Sequence, residues 1–143
     1  MPTTRMLIEA DLIQHEGYSH VVYVDTEGNK TSGIGHLESK HTEVGRVLTT
    51  VEVMTNFTED VNTAIQDAEA LVPSLYEHPA DVQRVMANMA FNLGRGKLSK
   101  FTDMLRAIEN KNYAQAAKDM IDSDWYKQTG QRAKSLVNMM RSN

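Results

Sequence analysis

One short stretch near the start of the chain, residues 18–36, departs from the helical periodicity of everything around it. Residues 21–24 are β-branched and aromatic, and residues 26–29 supply a turn. Residues 31–36 then have the pattern of a returning strand that contains two glycines. A ribbon of this size is not stable alone, so helices must pack on it. The sequence therefore predicts an α+β fold that is mostly helical.

The flanking segments have helical spacing. A first helix is predicted over 4–15, with Thr3 or Thr4 as its N-cap and Gly17 just beyond its end. A long helix is predicted from Thr49 to about Leu71.

Two features bound the long helix: Thr49 and Glu52 form a possible capping box, and Pro73 stops it. Pro79 suits the first turn of a central helix that ends at Gly94. Its wide apolar stripe indicates a helix covered on several sides. The rest is predicted as a loop at 94–97 and helices at 102–110, 113–122 and 131–141.

The composition limits what else can stabilise the fold. At 143 residues without cysteine, the chain fits one domain stabilised by packing alone. Several of its nine methionines, Met86, Met89, Met104 and Met120 among them, are expected to fill the core. The single tryptophan, Trp125, is expected to pack among the later helices.

Charge is distributed unevenly along the chain. Residues 1–94 contain 5 Lys and Arg against 14 Asp and Glu, and residues 95–143 contain 10 against 5. The two parts are therefore −9 and +5, which sum to the net −4. The basic part fits either a surface for an anionic polymer or ordinary solvated helix surfaces.

Two carboxyl groups, one just before the predicted ribbon and one within it, suit glycoside hydrolysis. That reaction needs an acid to protonate the leaving oxygen and a second carboxylate to activate water or attack directly. Glu16 ends the first helix, where the helix dipole disfavours its anion and favours the acid role. Asp25 begins the turn, and the Thr31 hydroxyl on the returning strand is suited to hold a water bound by Asp25. By itself this pattern is a weak signal, because a glutamate near a helix end and an aspartate in a turn usually have a structural role.

Further features add a family resemblance. Glu16, eight residues, Asp25, five residues and Thr31, followed by Gly-Ile-Gly-His-Leu at 33–37, resembles the active-site segment of T4-type phage lysozymes, glycoside hydrolase family 24. The end of that family's central helix is resembled by residues 88–94. Its C-terminal helices are resembled, in the same order, by residues 101–102, 125–129 and 131–133. The resemblance implies one lysozyme domain over 1–143. Its β-bearing lobe would cover about 12–50, its larger helical lobe about 50–143 with the N-terminal helix, and a cleft would lie between the lobes.

The implied activity is muramidase activity, hydrolysis of the β-1,4 bond between N-acetylmuramic acid and N-acetylglucosamine in peptidoglycan, with inversion. Glu16 would be the general acid, Asp25 the general base, and Thr31 would help to hold the attacking water. Four further residues match positions that line the family's cleft, namely Gly35, Leu37, Phe91 and Asn92.

Supporting residues follow from the same resemblance. Arg132 matches a basic residue that pairs with the catalytic glutamate in the family, and His36 matches a residue that pairs with an acid at Asp60. No histidine has convincing metal-ligand spacing, so neither a metal nor another cofactor is expected.

Other functions remain open on the residues alone. A non-catalytic peptidoglycan-binding or phage-tail module with this fold would not need the spacing of Glu16, Asp25 and Thr31. A lytic transglycosylase would not need Asp25. Nucleic-acid binding through the basic part lacks a recognisable motif.

The expected partner is the peptidoglycan glycan strand, acted on by a monomer without nucleic acid. The start of the chain lacks the unbroken apolar core of a signal peptide, and no run in the sequence approaches the length of a membrane span, so neither a signal peptide nor stable membrane insertion is expected. Synthesis in a host cytoplasm and action on periplasmic or cell-wall peptidoglycan are therefore expected.

Overall fold

The computed structural model describes residues 1–143. It contains one three-stranded antiparallel sheet and seven α-helices, which confirms the mostly helical α+β class. The strands are β1 (Ser19–Val24), β2 (Lys30–Gly33) and β3 (His36–Leu37). The helices are α1 (Thr4–Glu16), α2 (Thr50–Leu71), α3 (Ala80–Leu98), α4 (Thr102–Glu109), α5 (Tyr113–Ile121), α6 (Asp124–Thr129) and α7 (Gln131–Arg141).

The chain divides into two compact units. The sheet unit is Glu9–Thr63, and the helical unit combines Met1–Ile8 with Ala64–Asn143. Helices α1 and α2 each contribute residues to both units. None of the seven helices has the length and apolar character that crossing a membrane requires.

The sheet differs from the predicted two-stranded ribbon. The prediction of one returning strand over 31–36 was wrong, because the chain turns after β2 and returns as β3. Ser32 lies opposite His36 across this turn, and Gly35 within it has φ 62°. A residue with positive φ cannot continue an extended strand. The chain therefore reverses at Gly35, and the residues after it form the third strand.

Local hydrogen bonds begin the two helices that serve the sheet unit. The Thr3 hydroxyl accepts from the Met6 amide at 3.1 Å, so Thr3 rather than Thr4 caps α1. The Thr49 hydroxyl accepts from the Glu52 amide, and the Glu52 carboxylate accepts from the Thr49 amide, each at 3.1 Å. The predicted capping box is therefore confirmed, with α2 starting at Thr50.

Apolar side chains and one backbone segment order the sheet unit. Residues 45–48 run beside β1, where the Val22 amide donates to the Arg46 carbonyl at 2.9 Å and the Leu48 amide donates to the His20 carbonyl at 2.7 Å. The unit's buried apolar side chains are Leu12, Val22, Ile34, Leu48, Val53, Phe57 and Val61.

The helical unit has a larger apolar core. Met86, Met89, Met104 and Met120 are at most 1% exposed, which confirms their predicted place in it. Trp125 packs in the same core. The central helix α3 buries every residue from 85 to 90, as its wide apolar stripe predicted.

Three features of the helical unit differ from expectation. Pro79 is the N-cap of α3 instead of lying in its first turn. Gly94 breaks the helix with φ 79° and ψ 164°, but residues 95–98 resume a helical turn where a loop was predicted. Helical periodicity did not predict α6, because six residues are too few to show a repeat, although the family resemblance covered residues 125–129.

Candidate active site

Glu16 is the last residue of α1, within the sheet unit, and its side chain is half-buried. It lies against the backbone of Gly35 in the turn between β2 and β3. The two residues are 19 positions apart in the chain, so the fold brings the candidate acid to this turn.

Asp25 lies between β1 and the turn that follows it, and its side chain is also half-buried. Its Oδ1 accepts hydrogen bonds from the Glu27 amide at 2.9 Å and the Asn29 amide at 2.8 Å. Its Oδ2 accepts none from the protein. One carboxylate oxygen thus orders the turn, while the other is available to an incoming group.

Thr31 lies on β2 and is 7% exposed. Its hydroxyl donates to the Asn29 carbonyl at 3.1 Å, and the same carbonyl accepts the Asp25 amide at 2.8 Å. The peptide groups of Asn29 therefore join Asp25 and Thr31 in one local network. Because the Thr31 hydroxyl hydrogen is engaged in this way, its oxygen can accept a hydrogen bond from a further group.

The sheet register gives Thr31 two exposed neighbours on the same face. Tyr23 pairs with Thr31 across β1 and β2, and Leu37 pairs with it across β2 and β3. Leu37 is 67% exposed and Tyr23 is 37% exposed. Directly paired residues in antiparallel strands point to the same side, so the three side chains form a row.

His36 contacts Asp60, as the resemblance predicted. The His36 Nδ1 and Asp60 Oδ2 atoms are 2.7 Å apart, which joins β3 to α2 inside the sheet unit. The hydrogen bond to Asp60 raises the pKa of His36 above its ordinary value of 6.5, and the nearby charges of Asp60, Glu38 and Glu59 act in the same direction. Burial opposes them by disfavouring the charged ring.

The remaining predicted residues lie in the helical unit. Phe91 is half-buried and packs against the apolar core, whereas Asn92 is exposed. The Asn92 Oδ1 atom accepts from the Trp125 indole at 2.9 Å, so the side-chain NH2 group of Asn92 makes no hydrogen bond within the protein. Arg132 Nε donates to Asn88 Oδ1 at 2.9 Å.

Seven of the predicted residues belong to the sheet unit: Glu16, Asp25, Thr31, Gly35, His36, Leu37 and Asp60. Within it, the structure brings Glu16 to Gly35, Asp25 to Thr31 through Asn29, and His36 to Asp60. Phe91, Asn92 and Arg132 belong to the helical unit.

Neither the role of Asn29 nor the hydrogen bond between Trp125 and Asn92 was predicted from the sequence. Asn29 had a detectable signal, because an aspartate at the start of a turn commonly accepts amide hydrogens a few residues later. The contact between Trp125 and Asn92 spans 33 positions and had no local signal.

Comparison with known proteins agrees with this architecture. A family model described as phage lysozyme matches residues 13–143. The chain is 29% identical to probable T4-type lysozyme 2 of Dictyostelium discoideum, over 92% of each chain.

Two phage proteins match through part of their length. Peptidoglycan hydrolase gp36 of Pseudomonas phage phiKMV is 29% identical over 91% of this chain and 14% of its own. The pre-baseplate central spike protein Gp5 of Enterobacteria phage T4 is 34% identical over 90% of this chain and 26% of its own. Since the family model covers nearly the whole sequence, the chain belongs to the phage lysozyme family.

Proposed function

We propose that this chain is a single-domain muramidase that hydrolyses the β-1,4 bond between N-acetylmuramic acid and N-acetylglucosamine, with inversion, and so lyses bacterial cell walls. Glu16 is the general acid, Asp25 the general base, and Thr31 holds the attacking water. The observation that carries this proposal is the hydrogen-bond network of Asp25, Asn29 and Thr31. It orders Oδ1 of Asp25 and leaves Oδ2 without a hydrogen bond from the protein.

Membership of the phage lysozyme family supports the broad activity, peptidoglycan hydrolysis by a glycosidase. The name of the phiKMV relative, peptidoglycan hydrolase, points to the same substrate. We propose that the substrate is the glycan strand of periplasmic or cell-wall peptidoglycan, and that a monomer acts on it without nucleic acid or cofactor.

The contacts around Asp25 support the base role. A water that donates one hydrogen to the free Oδ2 of Asp25 and the other to the Thr31 hydroxyl has both hydrogens engaged. One lone pair of its oxygen can then face the anomeric carbon. A carboxylate that activates water in this way is the base of an inverting glycosidase.

The reaction then balances as a single displacement. Glu16 transfers its proton to the glycosidic oxygen as the bond from that oxygen to the anomeric carbon breaks. The water oxygen bonds to the anomeric carbon from the opposite face, and its proton passes to Asp25. The released chain end is a reducing muramic acid in the α configuration, because attack opposite the leaving group inverts a β bond.

Each unit, taken by itself, carries groups that suit a sugar substrate in this proposal. In the sheet unit, the exposed Leu37 offers an apolar surface for a sugar face. In the helical unit, the unbonded NH2 group of Asn92 can donate to an acetamido carbonyl, and Phe91 adds apolar surface beside it.

The test measures clearing of purified peptidoglycan and the chain ends released. Glu16→Gln keeps the size of the side chain but removes its proton-donating ability, and a loss of activity of about 10²- to 10⁴-fold is expected. Glu27→Gln is the matched control, because Glu27 is exposed on the turn in the same unit and should keep full activity.

Different results would point to different functions. Binding of the wall without clearing by the native chain would overturn the enzyme and leave a binding or tail module. Anhydro-sugar ends would indicate a lytic transglycosylase. Full activity of Glu16→Gln would remove Glu16 from the acid role, and initial release of the β-anomer would contradict inversion.

A further inference from the structure

Gly35 has no space for a side chain, because the carboxyl end of Glu16 occupies the position that a Cβ atom would take. A Cβ atom built on Gly35 would lie 2.8 Å from Glu16 Cδ and 2.9 Å from Glu16 Cγ, and nearer still to its Oε2. Real Cβ atoms essentially never approach other atoms below 3.0 Å. The end of the glutamate side chain thus lies directly on the Gly35 Cα.

This contact distinguishes Gly35 from the other glycines with positive φ. A Cβ atom would meet nothing within 4 Å at any of five such positions, Gly17, Gly28, Gly45, Gly94 and Gly130. At Gly33 the nearest atom would be Val53 Cγ1 at 3.1 Å. Backbone conformation alone explains glycine at the five open positions, whereas Gly35 also has a steric reason that involves the candidate acid.

We infer that Gly35 is a positioning residue for Glu16: its bare Cα forms the surface against which the acid's carboxyl group is held. The inference rests on the proposed function in that Glu16 is the proton donor. It goes beyond that function by assigning the placement of the donor to a turn 19 positions away in the chain.

The chemistry makes this placement important. A general acid must come within about 2.6–3.2 Å of the oxygen that it protonates. A displacement of about 1 Å can reduce the rate about 100-fold. A methyl group at position 35 would meet the flexible end of a side chain and not rigid backbone, so the carboxyl group would move while the fold persists.

The first experiment compares Gly35→Ala with Gly45→Ala. Both variants add one methyl group at positive φ in the sheet unit, 62° and 95°, but only the first meets Glu16. Both melting temperatures should fall by similar amounts, since both backbones are strained. The kcat of Gly35→Ala should fall about 100-fold with KM within about threefold, whereas Gly45→Ala should keep the native kcat.

The second experiment places Gly35→Ala in a Glu16→Asp background. The shorter side chain withdraws its carboxyl group from position 35, so the added methyl group should cost far less than 100-fold there. An equal loss in both backgrounds would overturn the inference. So would a rise in KM with unchanged kcat, which would make Gly35 a substrate contact.

A measurement independent of catalysis separates this inference from the proposed function. The carboxyl ¹³C chemical shift of Glu16, recorded without substrate at one fixed pH, should differ from the native value in Gly35→Ala and match it in Gly45→Ala. If Glu16→Gln remained active but this chemical shift moved in Gly35→Ala, the acid assignment would fail and the contact would stand. An unchanged chemical shift would overturn the inference. Loss of folding in Gly35→Ala that Glu16→Asp did not relieve would also overturn it, because the clash would then lie elsewhere.

Discussion

In the sheet unit, Asp25 and Thr31 are ordered by hydrogen bonds of a turn, whereas the helical unit is ordered largely by apolar side chains that exclude water. Asp25 and Thr31 are tied through the backbone of Asn29. Met86 and Met120, by contrast, are fully buried among other apolar groups. The difference indicates that chemistry and stability rest largely on different residues, and it can be tested by changing one without the other.

The largest expected effect would come from Asp25→Asn. The amide keeps an oxygen that can accept the Glu27 and Asn29 amides, so the turn should persist. It cannot take a proton from water, so kcat should fall about 10²- to 10⁴-fold with little change in the free energy of unfolding. Peptidoglycan clearing and urea unfolding measure the two quantities.

Asp25→Ala sharpens this result, because it removes both the catalytic base and the oxygen that accepts the hydrogen bonds of the turn. It should lose as much activity and also destabilise the protein by about 1 kcal/mol or more. If Asp25→Asn kept native activity, Asp25 would be a turn residue only, and the assignment of chemistry to this turn would be wrong.

Truncation in the helical core should have the opposite result. Met120 is 0% exposed in α5, so Met120→Ala should reduce the free energy of unfolding by about 2–5 kcal/mol through lost burial and a cavity. The kcat of the folded molecules should not change. Urea unfolding and active-site titration test both statements.

Met54→Ala is the matched control, since Met54 is 40% exposed and its truncation should cost less than about 0.5 kcal/mol. A large fall in kcat for folded Met120→Ala would show that the core also sets the geometry of catalysis. Catalysis and stability would then not rest on separate residues.

The smallest effect concerns His36, where a charged pair stabilises the sheet unit. Because the folded-state pKa of His36 is raised above 6.5, its contribution is fully present below that pH and is lost as the pH rises through the folded pKa. His36→Asn should therefore be less stable than the native chain by up to about 1 kcal/mol near pH 5.5, and the difference should shrink towards pH 9.

Urea unfolding at several pH values measures this difference, and His41→Asn is the control, since His41 is exposed and its ring makes no hydrogen bond or ion pair. A difference that grew with pH would contradict the raised pKa. A difference that did not depend on pH would show that His36 acts through packing alone.

Much of the fold followed from local patterns because the interactions concerned are themselves local. The capping box at Thr49 and Glu52 and the N-cap at Thr3 each join residues three positions apart. The apolar repeat of α3 predicted its burial for a similar reason, since residues three and four apart share one face of a helix. Helix α6 was missed because its six residues hold too little of that repeat.

In the candidate site, too, some features could be predicted from the sequence and others could not. The spacing of Glu16, Asp25 and Thr31 could be read directly, and the resemblance indicated the contact between His36 and Asp60. The third strand was not anticipated, although Gly33 and Gly35 were noted, because glycine permits a turn without requiring one.

The sequence by itself determined the turn that orders Asp25 and Thr31, since its hydrogen bonds reach at most four positions along the chain. Only the tertiary structure decided that Glu16 rests on Gly35 and that Trp125 donates to Asn92, across 19 and 33 positions. The physical reason is that contacts between distant residues depend on how whole elements pack. Packing depends on the combined shape of many side chains, which no short segment contains.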